Sequence, residues 1–178
     1  DGRYQLRLIA DDGQVKTFDD LSILVNPIPQ HALTVAAAPP QGGSVTGSGG
    51  FLQGSTQPIT ATPAIGWHFV NWTGSGIANP VLPSTTVAVD AEKTPTANFA
   101  INTYTLSYTA GLNGSLTGNA SQTIDHGSNG TSVTAVPATG YHFVNWSDGS
   151  TTNPRADTGI TASLSFTANF ELTNPDAN

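Results

Sequence analysis

A chain of 178 residues with a net charge of −7, only 10% charged residues and no Lys/Arg cluster lacks the basic patches by which proteins hold nucleic acid or an anionic membrane surface. It has no cysteine, which excludes disulfide frameworks, thiolate nucleophiles and Cys-based zinc sites. Its 19 glycines, 12 prolines, abundant Ser and Thr, and short β-branched or aromatic runs predict an all-β, loop-rich extracellular protein. No apolar run approaches the ~20 residues of a membrane-spanning helix, so membrane insertion is not expected. With no methionine, and a start that reads as the middle of a strand pair, the sequence is expected to be an excerpt of a longer secreted precursor.

Residues 1–27 read as that strand pair. Gln5–Ala10 and the runs Val15–Phe18 and Leu21–Val25 flank an Asp11-Asp12-Gly13 turn. Tyr4, Leu6 and Leu8 share one face, and Leu21, Ile23 and Val25 share another. A Tyr just after Asp1-Gly2-Arg3 resembles the tyrosine corner of β-sandwiches, and the segment resembles the last two strands of a PKD-like or cadherin-like Ig-type domain. Two strands alone are marginal in water, so the pair is expected to need a partner: the rest of its domain, the module that follows, or another chain. Donation of a strand to another subunit would make self-association through this hairpin a route to a filament. Proline favours extended backbone, so Asn26-Pro27-Ile28-Pro29-Gln30 reads as stiff, with residues 28–30 the linker proper.

The rest of the chain repeats once. GWHFVNW at 66–72 recurs as GYHFVNW at 140–146, and its surroundings recur with it. Thr60-Ala61-Thr62-Pro63 matches Thr134-Ala135-Val136-Pro137, Asn79-Pro80 matches Asn153-Pro154, and Thr96-Ala97-Asn98-Phe99 matches Thr167-Ala168-Asn169-Phe170. The second copy is slightly shorter after the Asn-Pro turn, as befits a loop. The repeats are placed at 31–101 and 102–171, followed by a tail or linker at 172–178. Strands are predicted at Ala32–Ala36, Ser44–Thr46, Pro58–Thr62, the aromatic motif, Thr86–Val89 and Thr96–Phe99. Their counterparts are Tyr104–Tyr108, Ser115–Thr117, Ser132–Val136, the second motif, Ile160–Ala162 and Ser165–Phe170.

In a strand, Tyr141 and Phe143 point to one face and His142 and Val144 to the other, so Trp146 needs a bend or bulge to join Phe143. Trp67, Phe69 and Trp72 pose the same requirement. A unit of about 70 residues is barely large enough for one core, so its rings must supply much of its stability. The predicted structural core is Trp67, Phe69, Trp72 and Phe99 in one repeat and Tyr141, Phe143, Trp146 and Phe170 in the other.

With YTLSYTAGLNGSLTG, VTAVPATGYHFVNWSDGSTTNP and a closing TANF, residues 106–170 resemble the divergent InlB B-repeat, a bacterial cell-surface repeat. Residues 31–100 resemble a less typical copy, with Trp67 in place of the usual Tyr and Gly50-Phe51-Leu52 hard to align. The resemblance implies small β-grasp-like modules in tandem within secreted or surface-anchored proteins, no catalysis by the repeat, and no ligand residues that carry over.

His68 and His142 occupy equivalent outward positions in separate modules, and His31 and His126 lie at a repeat start and in a loop, none with metal-ligand spacing. Asp11-Asp12 and Asp19-Asp20 are the carboxylates on which a cadherin-like calcium site could draw, though a turn and a solvated strand account for them equally. Asp125, Asp148 and Asp157 occur only in the second repeat and Asp90 and Glu92 only in the first, so no acid/base pair is shared. GGSVTGSGG at 42–50 lacks the lysine and helix of a phosphate loop. No catalytic, cofactor or metal residue is assigned.

The function expected from these features is a non-catalytic spacer or multivalent adhesive surface on a secreted or surface-anchored bacterial protein, with a protein or cell-surface polysaccharide as partner. The alternatives are a carbohydrate-binding accessory of a secreted hydrolase, which needs an exposed flat ring, and a filament subunit.

Overall fold

Alternating β-branched and aromatic residues between Gly, Asn and Pro turns can bury one face of a short strand at a time, and the chain folds accordingly. The computed structural model describes residues 2–173, and its regular structure there is sixteen strands and one 3-10 turn, Pro40–Gly42.

Strands β1 (Gly2–Asp11) and β2 (Lys16–Val25) form an antiparallel hairpin. Asp11 and Asp12 build its turn: Asp11 Oδ1 accepts from Gly13 N–H, Asp12 Oδ1 accepts from the Gln14 and Val15 N–H groups, and Gly13 takes φ 84°. The register pairs Tyr4 with Ile23 and Leu6 with Leu21, so the two apolar sets share one face rather than opposite ones. Arg7–Asp20 and Lys16–Asp11 ion pairs occupy the other face. The apolar face is open, with Tyr4, Leu6, Leu8 and Leu21 each more than half exposed.

The first repeat comprises β3 (Gln30–Leu33), β4 (Ala36–Ala38), β5 (Gly43–Thr46), β6 (Gly49–Leu52), β7 (Ser55–Pro63), β8 (Trp67–Thr73), β9 (Ser84–Val89) and β10 (Thr96–Ile101). They form sheets of order β4-β10-β8, β5-β7-β9 and β3-β6. The second repeat comprises β11 (Thr103–Ala110), β12 (Gly114–Gly118), β13 (Ser121–Asp125), β14 (Val133–Pro137), β15 (Tyr141–Trp146) and β16 (Leu164–Leu172), in sheets β13-β11-β16-β15 and β12-β14. In each, the opening strand runs parallel to the closing one, Ala36 beside Thr96 and Tyr108 beside Phe166. The all-β architecture is the one read from the sequence, with each module divided over two or three small sheets.

Three differences from the expected elements have local causes. The opening strand of the first repeat breaks at Thr34-Val35, where Val35 N–H donates to Ser48 Oγ instead of to a strand. The poorly aligning Gly50-Phe51-Leu52 is β6, the counterpart of β13, and pairs with β3 as β13 pairs with β11. Residues 160–162 are not a strand: Ile160 is buried, but its amide donates to Ser128 C=O and its carbonyl accepts from Gly127 N–H. The shorter loop leaves only Arg155 to bridge Val133, where the first repeat lays β9 along β7.

Each repeat has its own core. Leu33, Ile59, Ala61, Trp72, Val87, Val89 and Ala97 centre one, and Leu106, Tyr108, Val133, Ala135, Trp146 and Ala168 the other. The closing phenylalanines lie against glycines. A Cβ on Gly114 would come within 2.3 Å of the Phe170 ring, and one on Gly43 within 2.6 Å of Phe99. Gly114→Ala is therefore expected to cost about 1–3 kcal/mol by overpacking, read as a lower urea midpoint for the second repeat. An unchanged midpoint would mean that Phe170 moves aside freely.

Candidate functional site

The aromatic strands are the most distinctive sequence feature, and a bulge organises both. In β8, Phe69 pairs with Phe99 but Asn71, not Val70, pairs with Asn98; in β15, Phe143 pairs with Phe170 and Asn145 with Asn169. The extra residue, Val70 or Val144, turns the strand so that the tryptophan rejoins the phenylalanine on the core side. Phe69 and Trp72 ring centroids lie 5.8 Å apart, and those of Phe143 and Trp146 5.7 Å. Trp72 is 2% exposed and Trp146 0%. Each indole N–H donates to a backbone carbonyl, Trp72 to Leu82 at 3.1 Å and Trp146 to Thr152 at 2.9 Å. Phe99 is buried, whereas Trp67, Phe69, Tyr141, Phe143 and Phe170 are half-buried. Two of the three tryptophans, Trp72 and Trp146, are thus closed to solvent.

Beyond the bulge, both repeats carry the same asparagine pair. Asn98 Nδ2 donates to Asn71 Oδ1, and Asn169 Nδ2 to Asn145 Oδ1, each at 2.8 Å. The Asn-Trp-Thr/Ser sequons thus begin with asparagines engaged across the sheet.

The second repeat adds a charged cluster that the first lacks. Arg155 is only 7% exposed and grips Asp157 with two hydrogen bonds of 2.7 Å, from Nε and Nη2. Nη1 donates to Asp148 at 2.9 Å, and the guanidinium lies 3.5 Å above the Phe166 ring. Tyr108 donates its hydroxyl to Asp157 at 2.6 Å. Hydrogen bonds from Arg155 hold both carboxyls below the usual Asp range, while burial and the adjacent carboxylate push the Tyr108 phenol up. Where Tyr108 stands the first repeat has Val35, and where Arg155 bridges Val133 the equivalent Ile59 pairs with Thr85. Proton transfer is poorly served here, since every charge is neutralised by a partner. Sequence reading had set Asp148 and Asp157 aside as unshared; the signal it passed over was Arg155, the only arginine after Arg7 in the chain.

Two neutral side chains also act as backbone. Asn153 accepts from Ala135 N–H and donates to Ala135 C=O, extending the sheet by one side chain. Gln122, 4% exposed, accepts from Thr131 N–H and donates to the Asn119 and Thr131 carbonyls.

The histidines do not converge. His68 Nδ1 lies 2.8 Å from Asn102 Oδ1, His126 stacks near Tyr104 with centroids 5.9 Å apart, His142 is exposed, and His31 Nε2 is buried without a hydrogen-bond partner. Among the described residues no group of three or more His, Asp or Glu is arranged to hold a metal ion. Asp11, Asp12 and Asp20 are committed to turn amides or ion pairs. No helix among the described residues is long and apolar enough to cross a membrane.

A search of curated proteins and a search of solved structures each returned no match. The family model of the divergent InlB B-repeat domain matches twice, at residues 33–103 and 104–174. Both matches begin at or near the parallel opening strand and end past the closing one, so each takes in a whole bulge-and-tryptophan unit. The chain belongs to the divergent InlB B-repeat family, a family of bacterial surface repeats, and carries two tandem copies of it.

Proposed function

We propose that this region is a non-catalytic spacer and multivalent interaction surface within a secreted or surface-anchored bacterial protein. The observation that carries this reading is the use of the conspicuous residues. Trp72 and Trp146 are internal with their N–H groups bonded to the fold, and Arg155 is buried in a pair with Asp157. What faces solvent is a twice-repeated module surface that mixes polar residues with single apolar ones such as Ile65 and Leu112, suited to weak contacts that gain strength by number. A sugar-stacking site needs an open ring, and Trp67 and Tyr141 are half-covered.

The test is tryptophan fluorescence with acrylamide, with and without bacterial and plant polysaccharides. The expected outcome is blue-shifted emission, poorly quenched and indifferent to sugars. An exposed population protected by a glycan would overturn the reading in favour of a carbohydrate-binding accessory.

A separate observation supports a partner for the N-terminal hairpin. Its face of Tyr4, Leu6, Leu21 and Ile23, opposite a face that carries two ion pairs, is in keeping with a sheet that covers a sandwich core, as the closing strands of an Ig-type domain do.

A further inference from the structure

β10 ends at Ile101 and β11 begins at Thr103, so a single residue, Asn102, lies between the repeats. Both of its peptide groups are bonded. Its N–H donates to Gly66 C=O of the first repeat at 2.8 Å, and its C=O accepts from His126 N–H of the second at 2.8 Å. Its side-chain Oδ1 lies 2.8 Å from His68 Nδ1, in the first repeat. A residue held on its amino side by one sheet and on its carbonyl side by the next has neither φ nor ψ free to act as a hinge.

Side chains close the gap around it. Gly66 turns with φ 80°, and a Cβ there would come within 2.2 Å of His126 Cδ2, so the first repeat's turn lies directly against the second repeat's imidazole. Tyr104 covers that ring, its hydroxyl 3.4 Å from His126 Nδ1.

The repeat itself supplies the comparisons. At the front of the first repeat, Pro29 stands where Asn102 does and accepts from Gln53 N–H at 2.8 Å, but proline has no N–H to tie it to anything before it. At the far end of the second, Thr173 N–H donates to Gly140 C=O at 2.8 Å as Asn102 does to Gly66, yet nothing lies within 4 Å of a Cβ on Gly140. Leu172 is 65% exposed there, whereas its counterpart Ile101 is half-buried. Among the described residues, both halves of the joint are made at Asn102 and not at Pro29 or Thr173.

We propose that Asn102, with Gly66, His68 and His126, is an inter-module lock that fuses the two repeats into one rigid body and so presents their surfaces at a fixed mutual angle. The lock stands on the joint alone, whichever partner the surfaces meet.

The experiment is measurement of backbone residual dipolar couplings on the full chain. Couplings from residues 30–101 and 103–173 are expected to fit a single alignment tensor. Insertion of Gly-Ser-Gly after Asn102 leaves the Gly66 bond available to the first repeat and is expected to abolish the common tensor, with each repeat's amide spectrum otherwise preserved. Asn102→Pro, which copies residue 29, is expected to do the same. Two tensors of different magnitude in the unaltered chain, or one common tensor surviving the insertion, would overturn the proposal.

Discussion

Replacing Trp146 with alanine is expected to bring the second repeat close to unfolding while the first keeps its stability. The indole is fully buried between Tyr108 and Phe143, with centroid separations of 5.6 and 5.7 Å, and its N–H holds Thr152 C=O at 2.9 Å. Truncation removes the ring's transfer energy, leaves a cavity that strands on two sheets cannot close, and orphans a carbonyl, for a total of about 3–5 kcal/mol. At about 0.05–0.15 kcal/mol per residue, a unit of roughly 70 residues has about 4–10 kcal/mol to lose. Trp72→Ala is expected to do the same to the first repeat, where Trp72 is 2% exposed. Trp146→Phe keeps a ring in the core and is expected to cost less than half as much. Urea melts followed by circular dichroism would show this as an early transition of about half the amplitude. A single transition at the original midpoint would refute the core role of Trp146.

The second large effect is expected from Arg155→Ala, again confined to the second repeat. Removing the guanidinium strips Asp157 of both its 2.7 Å partners and Asp148 of its own, and uncovers the face of Phe166. Breaking a buried pair from one side costs about 3–5 kcal/mol, and the lower end applies because Asp157 keeps some contact with water. The same cluster sets an acid limit. Asp148 and Asp157 have folded-state pKa values below their unfolded ones, so their contribution is present above the unfolded value of about 3.9 and is lost as pH falls through the folded value. The second repeat is therefore expected to lose stability below about pH 4 more steeply than the first, whose Asp90–Lys93 pair has its carboxylate in solvent. In Arg155→Ala the acid loss should become shallower, because the largest cause of the depression is gone while Tyr108 O–H still donates to Asp157 and Ser150 N–H to Asp148. Melts of the unaltered chain and of Arg155→Ala from pH 2.5 to 7 decide this, and parallel profiles for both repeats would remove the cluster from the account of stability.

Much of the architecture was legible because the chain states it twice. The recurrence of GWHFVNW as GYHFVNW marked the modules, and alternation around Ser44–Thr46, Pro58–Thr62 and Thr96–Phe99 marked strands that the fold contains. The spacing of Phe69 and Trp72 called for a bulge, and one lies at Val70. β6 was not legible, since Gly49-Gly50-Phe51-Leu52 has no alternation and becomes a strand only by lying against β3. Ile160 misled in the opposite direction: an apolar residue in a Thr-rich stretch reads as strand, but its burial is secured by loop hydrogen bonds to residues 127 and 128.

Composition, periodicity and recurrence by themselves determined an all-β chain of two small modules, because burying one face of each short strand is a local demand that alternation records. Only the tertiary structure decided that Tyr4, Leu6, Leu21 and Ile23 share one face, that Arg155 gathers Asp148, Asp157 and Tyr108, and that Asn102 is bonded from both sides. The first depends on strand register, which a one-residue slip would reverse, and the other two on the approach of loop residues far apart in the chain, and composition records neither.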